Sequence, residues 1–348
     1  MSFRSIILRV EELPWKWPLQ QGMGVQMLRS RWIVEAMDAE GRHYEAELGP
    51  CPGVHPESLD DAYALWKEQC EPLLLQESFP LHAWDWQKPW FGLLAVPPSS
   101  MTSVQTAAEQ LLLGWAQQQN PEEFSLPGPI SLPGSALLPI RPAKEGAVNW
   151  QEFLDLWEQG FRVLKCKIGR NPAADEIRFL RRLYAFAGAD LQLRLDANQN
   201  LSNEDSQQWK QSAFSLPIAY WEEPTANQEA MHPLARDESL WDAEPETLLE
   251  PGEVWILKPS RLTLSRTVSL LTRARQYNRI CVLSNAFDSG LSLRCFAWIY
   301  AAFCANPQAL GFGTARFLPE DIWQSTQFSA PLVSVPAQAF ASRPRVQA

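Results

Sequence analysis

Apolar and polar positions along the chain read as two regions with different rhythms. In the first third, SIILRV (5–10) reads as a strand, and WIVEAMD (32–38) and HYEAEL (43–48) flank AEGR as the arms of a hairpin. From 58 to 76, SLDDAYALWKEQCEPLLLQ changes to helical spacing, and Ser58 with Asp61 predicts a capping box. A second helix is expected over about 102–118, after the loop PPSS. Strands followed by helices make this an α+β unit. Proline and glycine then crowd QNPEEFSLPGPISLPG (119–134), which reads as a linker.

Beyond the linker, short apolar strands alternate with helical stretches. SALLPI precedes a helix near 149–159, RVLKCKI one over 171–187, and LQLRLDA one over 203–212. IAYWEE follows, then VWILKP with a helix near 263–277, and ICVLSN with a helix near 290–304. This βαβα order implies a parallel sheet. A closed (β/α) barrel averages about 250 residues, so its units here would be short. An open doubly wound sheet competes, although no GxGxxG follows the first strand.

Composition narrows the function. A net charge of −10 with no basic run excludes nucleic acid as a partner. No apolar run reaches the roughly 18 residues of a membrane span, and the N-terminus turns charged too soon for a secretory signal. Six scattered cysteines without a CxxC pair read as reduced core residues, which makes the expected location cytoplasmic. The Trp-rich stretch AWDWQKPW (83–90) reads as a loop anchored by indoles.

Charged residues mark the strand ends. Side chains alternate along a strand, so Lys165 and Lys167 share one face and Cys166 takes the other. The next strand ends in Asp196, with Arg194 on the same face; the next ends in Glu222 and Glu223. Asp237 lies in ARDESL, and Lys258 ends VWILK. Singly, each has an ordinary explanation: a solvated edge, a turn or a helix cap. Their order, K-x-K, Asp, Glu, Asp, Lys on successive units, does not. In a barrel these ends meet at one face. Three carboxylates suit Mg²⁺, with Mn²⁺ as a substitute, and lysines flank them on both sides. Such a site makes the α-proton of a small-molecule carboxylate substrate acidic and stabilises the enediolate. Lys167 would be the base, its pKa held down by Lys165 or the metal and by desolvation.

LKCKIG, LRLDANQNLS, WEEP, RDESL and ILKPS, in this order, resemble the enolase superfamily in its muconate-lactonising subgroup. HYEAELGPCPGVHPESLDDA is similar to that family's capping domain. The resemblance implies a modified TIM-type (β/α) barrel over 133–325, an α+β capping domain over 1–132, and a segment 326–348 packing back on the cap. It implies Asp196, Glu222 and Asp237 as metal ligands, with the first glutamate of EEP chosen. It also implies Lys167 as acid/base and Lys258 as its counterpart across the barrel. Lys165, Arg194 and Asn198 would support the site, Ser284 and Ser289 in LSNAFDSGLSL would contact substrate, and PLQQGMG (18–24) would close over it.

None of the four histidines, His43, His55, His82 and His232, lies in the later strands, so a late-barrel histidine base is excluded. Within the subgroup the likeness is to the o-succinylbenzoate synthases of menaquinone and phylloquinone synthesis. GFGTARF lacks the Asp-x-Asp pair that dipeptide epimerases use for an ammonium group. N-acylamino acid racemisation is the alternative on the same residues, and a barrel retained only for binding is the non-enzymatic one. The short Glu222–Asp237 interval implies a fifth unit that is trimmed or lacks its helix.

Overall fold

The computed structural model describes residues 3–21, 24–76, 101–225, 231–243, 253–319, 328 and 330–340. The expected roles of PLQQGMG and AWDWQKPW lie outside the described residues and side chains.

β1 (Phe3–Gln21), β2 (Gly24–Asp38) and β3 (His43–Leu48) form an antiparallel sheet in chain order. Asp38 builds the AEGR turn. Its carboxylate accepts from Arg42 N at 2.9 Å, Glu40 N at 3.0 Å and Tyr44 OH at 2.6 Å. Gly41 supplies the left-handed residue at φ 77°.

Ser58 caps α1 (Leu59–Leu65), and its box with Asp61 is complete. The expected helix continues through one wide turn, Trp66–Cys70, into α2 (Glu71–Gln76). Ala62, Trp66, Cys70 and Leu74 are buried four residues apart, a row that drifts around an ordinary α-helix; the wider turn keeps it facing the core. That face packs on α3 (Thr102–Gln119), which is buried almost all round because it lies between this unit and two helices of the second region, Pro259–Leu262 and Leu264–Gln276.

The linker is not all loop. β4 (Ile130–Pro133) pairs antiparallel with β12 (Leu332–Val335). A four-residue strand among prolines has no periodicity to show, and its partner lies about 200 residues away in the chain.

The parallel sheet runs β5 (Ala136–Pro139), β6 (Val163–Lys167), β7 (Gln192–Asp196), β8 (Ile218–Glu222), β9 (Leu234–Arg236), β10 (Val254–Leu257) and β11 (Ile280–Leu283). The order never reverses, so the open doubly wound alternative is overturned. Two single bridges stand where an eighth strand would: Ser284 with Gly311, and Gly134 with Leu310. GFGTARF therefore contributes only its first residue to the ring, and Gly313–Phe317 is a 3-10 turn. Around the strands lie α4 (Gly146–Glu158), α5 (Ala173–Ala187), α6 (Asn203–Ser212), the single turn α7 (Pro259–Leu262), α8 (Leu264–Gln276) and α9 (Gly290–Phe303). No helix stands between β8 and β9 among the described residues, as the short interval implied.

Outward-facing strand residues pack on the helices in two large clusters, and Tyr220, Ala235, Val254, Ile256 and Val282 fill the inside. All six cysteines are free thiols, five of them buried. No helix among the described residues is long and apolar enough to cross a membrane.

Candidate functional site

Register sets the site. Lys167 stands opposite Asp196, Asp196 opposite Glu222, and Glu222 opposite Ala235, one row at the carboxyl edge of the sheet. Asp237 follows two residues after Ala235, and Lys258 follows the last residue of β10. β6 and β10 are four places apart in a ring of eight positions, so the two lysines come from opposite sides, with the three acids between them. Cys166 points into the helix layer and is fully buried, which leaves its lysine neighbours facing the ring.

A cleft of about 480 Å³ opens at this edge. Lys165, Lys167, Asp196, Asn198, Lys258 and Ser284 line it, and Pro52, Gly53 and Val54 cover it from the first unit. The three acids are each 1% exposed. Lys165 Nζ lies 2.9 Å from Asp196 Oδ2 and 2.6 Å from Glu222 Oε1. Lys167 Nζ lies 3.1 Å from the same Asp196 oxygen and donates to Asn198 Oδ1. Lys258 pairs with Asp237 Oδ2.

These pairings set the charges. Burial pushes Asp196 up, but Lys165 and then Lys167 outweigh it and hold the carboxyl well below its ordinary range. Glu222 is pushed up to about 8, first by burial and then by Asp196. Burial works to lower Lys165 and Lys258; Asp196 and Glu222 hold the first well above its ordinary range, and Asp237 holds the second up.

The two glutamates of EEP part company. Glu222 faces the lysines. Glu223, at φ 41°, turns away, and its carboxylate accepts from Asp237 N at 2.8 Å, Ser239 N at 3.0 Å and Ser239 Oγ at 2.7 Å. Glu223 thus holds the loop that carries Asp237. Asn198, at φ 45°, donates its backbone N–H to Asp196 Oδ1 at 3.0 Å and its amide to Glu238 Oε1 at 3.2 Å. Backbone in this region is tolerated where surrounding bonds over-determine it.

Four expected residues do not line the cleft: Glu222 and Asp237 are buried against Lys165 and Lys258, and Ser289 and Arg194 serve elsewhere. Ser289 is fully buried, and its N–H and hydroxyl both donate to Glu47 Oε2, at 3.0 and 2.6 Å. It joins the first unit to the barrel. Its side chain leaves the helix start and meets a carboxylate that sequence does not place there. Arg194 lies inside the ring, donating to Ala309 O at 2.7 Å and standing over Tyr220, so it braces the closure. Glu238, Arg170, Asn285 and Thr314 line the cleft and escaped the sequence reading. Glu238 follows Asp237 directly and was open to detection; Asn285 lies within LSNAFDSGLSL.

No three His, Cys, Asp or Glu side chains among the described residues stand grouped, as oriented, to hold a metal; ammonium groups occupy the space between the carboxylates. The donors nevertheless fit a hard cation. All are carboxylates, they come from neighbouring strand ends, and Glu222 Oε2 is buried with no hydrogen-bond partner.

His55 couples the cover to the ring. Its Nδ1 accepts from Cys51 N at 2.9 Å, which leaves Nε2–H to donate to Ser260 O at 2.9 Å, two residues past Lys258. Burial pulls His55 below its ordinary range. Its stabilising contribution is therefore complete above the unfolded value of about 6.5 and declines as pH falls below it. His55→Gln is expected to have a lower Tm than the unmodified chain at pH 7.5, and the gap should narrow toward pH 5.5. A gap independent of pH, in thermal melts across that range, would show that the imidazole's proton has no part in it.

The ring and the covering unit have the fold of solved structures that include dipeptide epimerases and muconate lactonizing enzyme. The barrel half, residues 150–316, matches the family model described as enolase C-terminal domain-like. A dipeptide epimerase from Enterococcus faecalis superposes with TM-score 0.83 at 17% identity, covering 99% of this chain and 100% of that one. Muconate lactonizing enzyme from Pseudomonas putida gives 0.72 at 17% identity, covering 92% and 91%. Among curated proteins, Protein PHYLLO, chloroplastic, of Arabidopsis thaliana is 28% identical over 203 residues. That match takes in 49% of this chain and 12% of that protein.

Proposed function

We propose that this cleft removes the proton α to a substrate carboxylate, and that the reaction is the syn dehydration of 2-succinyl-6-hydroxy-2,4-cyclohexadiene-1-carboxylate to 2-succinylbenzoate. The observation that carries the reading is the placement of Lys167 and Lys258 on opposite sides of one cleft, with three buried carboxylates between them. Asp196, Glu222 and Asp237 would hold Mg²⁺, which when bound supplies Lewis-acid stabilisation of the enediolate. Lys165 and Lys258 would release those carboxylates to it.

Lys167, as the free amine, takes the α-proton, and the C–H electron pair becomes the enediolate. That pair then forms the ring double bond as the C–O bond to the hydroxyl breaks. Lys167 returns its proton to the departing oxygen on the same face, and water leaves. Lys258, held as an ammonium, faces the developing charge from the other side.

A substrate without an ammonium group suits this cleft. The wall from β11 through Gly311 and β5 to β6 presents no carboxylate among its lining residues, so a dipeptide's amine would have no partner there. The likeness to the o-succinylbenzoate synthases within the muconate-lactonising subgroup supports the particular reaction. The test is turnover of the cyclohexadiene with Mg²⁺, followed as loss of diene ultraviolet absorbance. Fast, Mg²⁺-dependent loss is expected. Folded, metal-loaded protein that leaves the diene intact would overturn the synthase reading; exchange of the α-proton of N-succinylamino acids with deuterated solvent would then favour a racemase.

A further inference from the structure

The cleft has two unlike halves. Its β6 to β10 side carries the acids and their lysines. Its other side, from β11 through β5 to the turn after β6, carries among the described residues one cation without a partner and one amide nitrogen without a partner.

Arg170 is that cation. It stands three residues past Lys167, exposed at the cleft mouth, and its guanidinium has no hydrogen-bond or ion-pair partner among the described residues. Lys165, Lys167 and Lys258 are all paired with carboxylates. The turn that presents Arg170 is firmly built. The fully buried Glu176 carboxylate accepts Gly169 N at 2.9 Å, Arg170 N at 3.2 Å and Asn171 N at 3.0 Å. Gly169 takes φ 76° with Leu201 already 3.1 Å from where a Cβ would stand, so the turn needs glycine. An exposed arginine on a rigid turn, facing a cleft, is a ready partner for a planar anion.

Asn285 is the amide. It is 5% exposed and lines the cleft just past β11. Thr314 Oγ1 donates to its Oδ1 at 2.6 Å, which fixes the amide and turns Nδ2 away from that bond. Nδ2 is buried with no hydrogen-bond partner. A buried donor left without an acceptor is costly, and an acceptor on a ligand relieves the cost. Ile140, Phe287 and Phe317 supply apolar surface along this half.

We propose that this half is a subsite for a second anionic group, a carboxylate carried on a short chain away from the reacting carbon. Arg170 binds that carboxylate, and Asn285 Nδ2 donates to an oxygen of the chain leading to it. The assignment deepens the proposed function, on which it rests for the identity of the reacting end, and it makes the substrate a dicarboxylate.

The test pairs two ligands in the presence of Mg²⁺: 2-succinylbenzoate, and 2-butanoylbenzoate, which keeps the body and lacks the distal carboxylate. Titration calorimetry is run on the unmodified chain, Arg170→Ala, Arg170→Lys and Asn285→Ala, with kcat and KM for the cyclohexadiene beside it. Arg170→Ala is expected to weaken 2-succinylbenzoate about tenfold to a hundredfold, the range for a charged hydrogen bond, and to leave 2-butanoylbenzoate unchanged. Lysine should restore part of the loss, and the kinetic effect should fall on KM more than on kcat. Asn285→Ala should weaken both ligands. Equal binding of 2-succinylbenzoate by Arg170→Ala and the unmodified chain overturns the subsite, whatever the turnover. The Arg170 pattern in a protein that does not dehydrate the diene keeps the subsite and overturns the synthase. Binding of neither ligand by the unmodified chain overturns both.

Discussion

Alanine in place of Lys167 is expected to lower turnover of the cyclohexadiene about a thousandfold, within the range for losing a general base, with little change in fold. In the proposed reaction this amine accepts and returns the proton, and among the described residues no other side chain is placed to substitute on that face. Lys165, two residues away, is bound to Asp196 and Glu222 together and is held as an ammonium well above its ordinary range. The side chain of Lys167 is 28% exposed, and Asp196 keeps Lys165 when it is lost. Tm should therefore shift by less than about 3 °C. The decisive readouts are single-turnover dehydration and exchange of the α-proton with deuterated solvent. A variant that still exchanges this proton at more than a tenth of the normal rate would remove Lys167 from the role of base. Lys258→Ala is a different change. It strands Asp237, 1% exposed, without its cation, so lower stability is expected beside lower turnover.

Removal of the divalent cation is expected to abolish turnover, and Asp196→Asn to do the same even with Mg²⁺ in excess. Three acids so little exposed are paired here with lysine side chains. A cation that takes them over binds the folded chain and not the unfolded one. At a hundred times its Kd it adds about 2.7 kcal/mol of stability. Mg²⁺ should thus raise the Tm of the unmodified chain in a concentration-dependent way, and Asp196→Asn should cancel most of that rise. Asn keeps the shape of Asp but loses the charge that draws the cation and one of its hard ligands. A Tm of the unmodified chain that chelator and Mg²⁺ leave equal would sink the metal-site reading.

Much of the site was legible in the sequence because of how strands work. Side chains alternate, parallel strands end at one edge, and a charge at the end of an apolar run has nowhere else to go. Lys165, Lys167, Asp196 and Lys258 could be brought to one cleft on that basis alone. The preference for Glu222 over Glu223 rested on resemblance; the fold supplies the physical difference, since Glu223 folds back onto Asp237 N and Ser239. Ser289 went the other way. Its place at a helix start was readable, but the buried Glu47 that takes its hydroxyl lies 242 residues away in the chain.

The sequence by itself determined the strand and helix order, the capping box at Ser58, the short interval between Glu222 and Asp237 and the row of charges. Each depends on local spacing or on a side chain's own chemistry. The tertiary structure alone decided that the sheet closes through two bridges at Leu310 and Gly311, and that β4 finds β12. It also decided that the Arg170 guanidinium and Asn285 Nδ2 come to one wall of the cleft without partners among the described residues. Closure and pairing depend on contacts between segments far apart in the chain. An unsatisfied donor is defined by what fails to reach it, so it exists only once every neighbour has been placed.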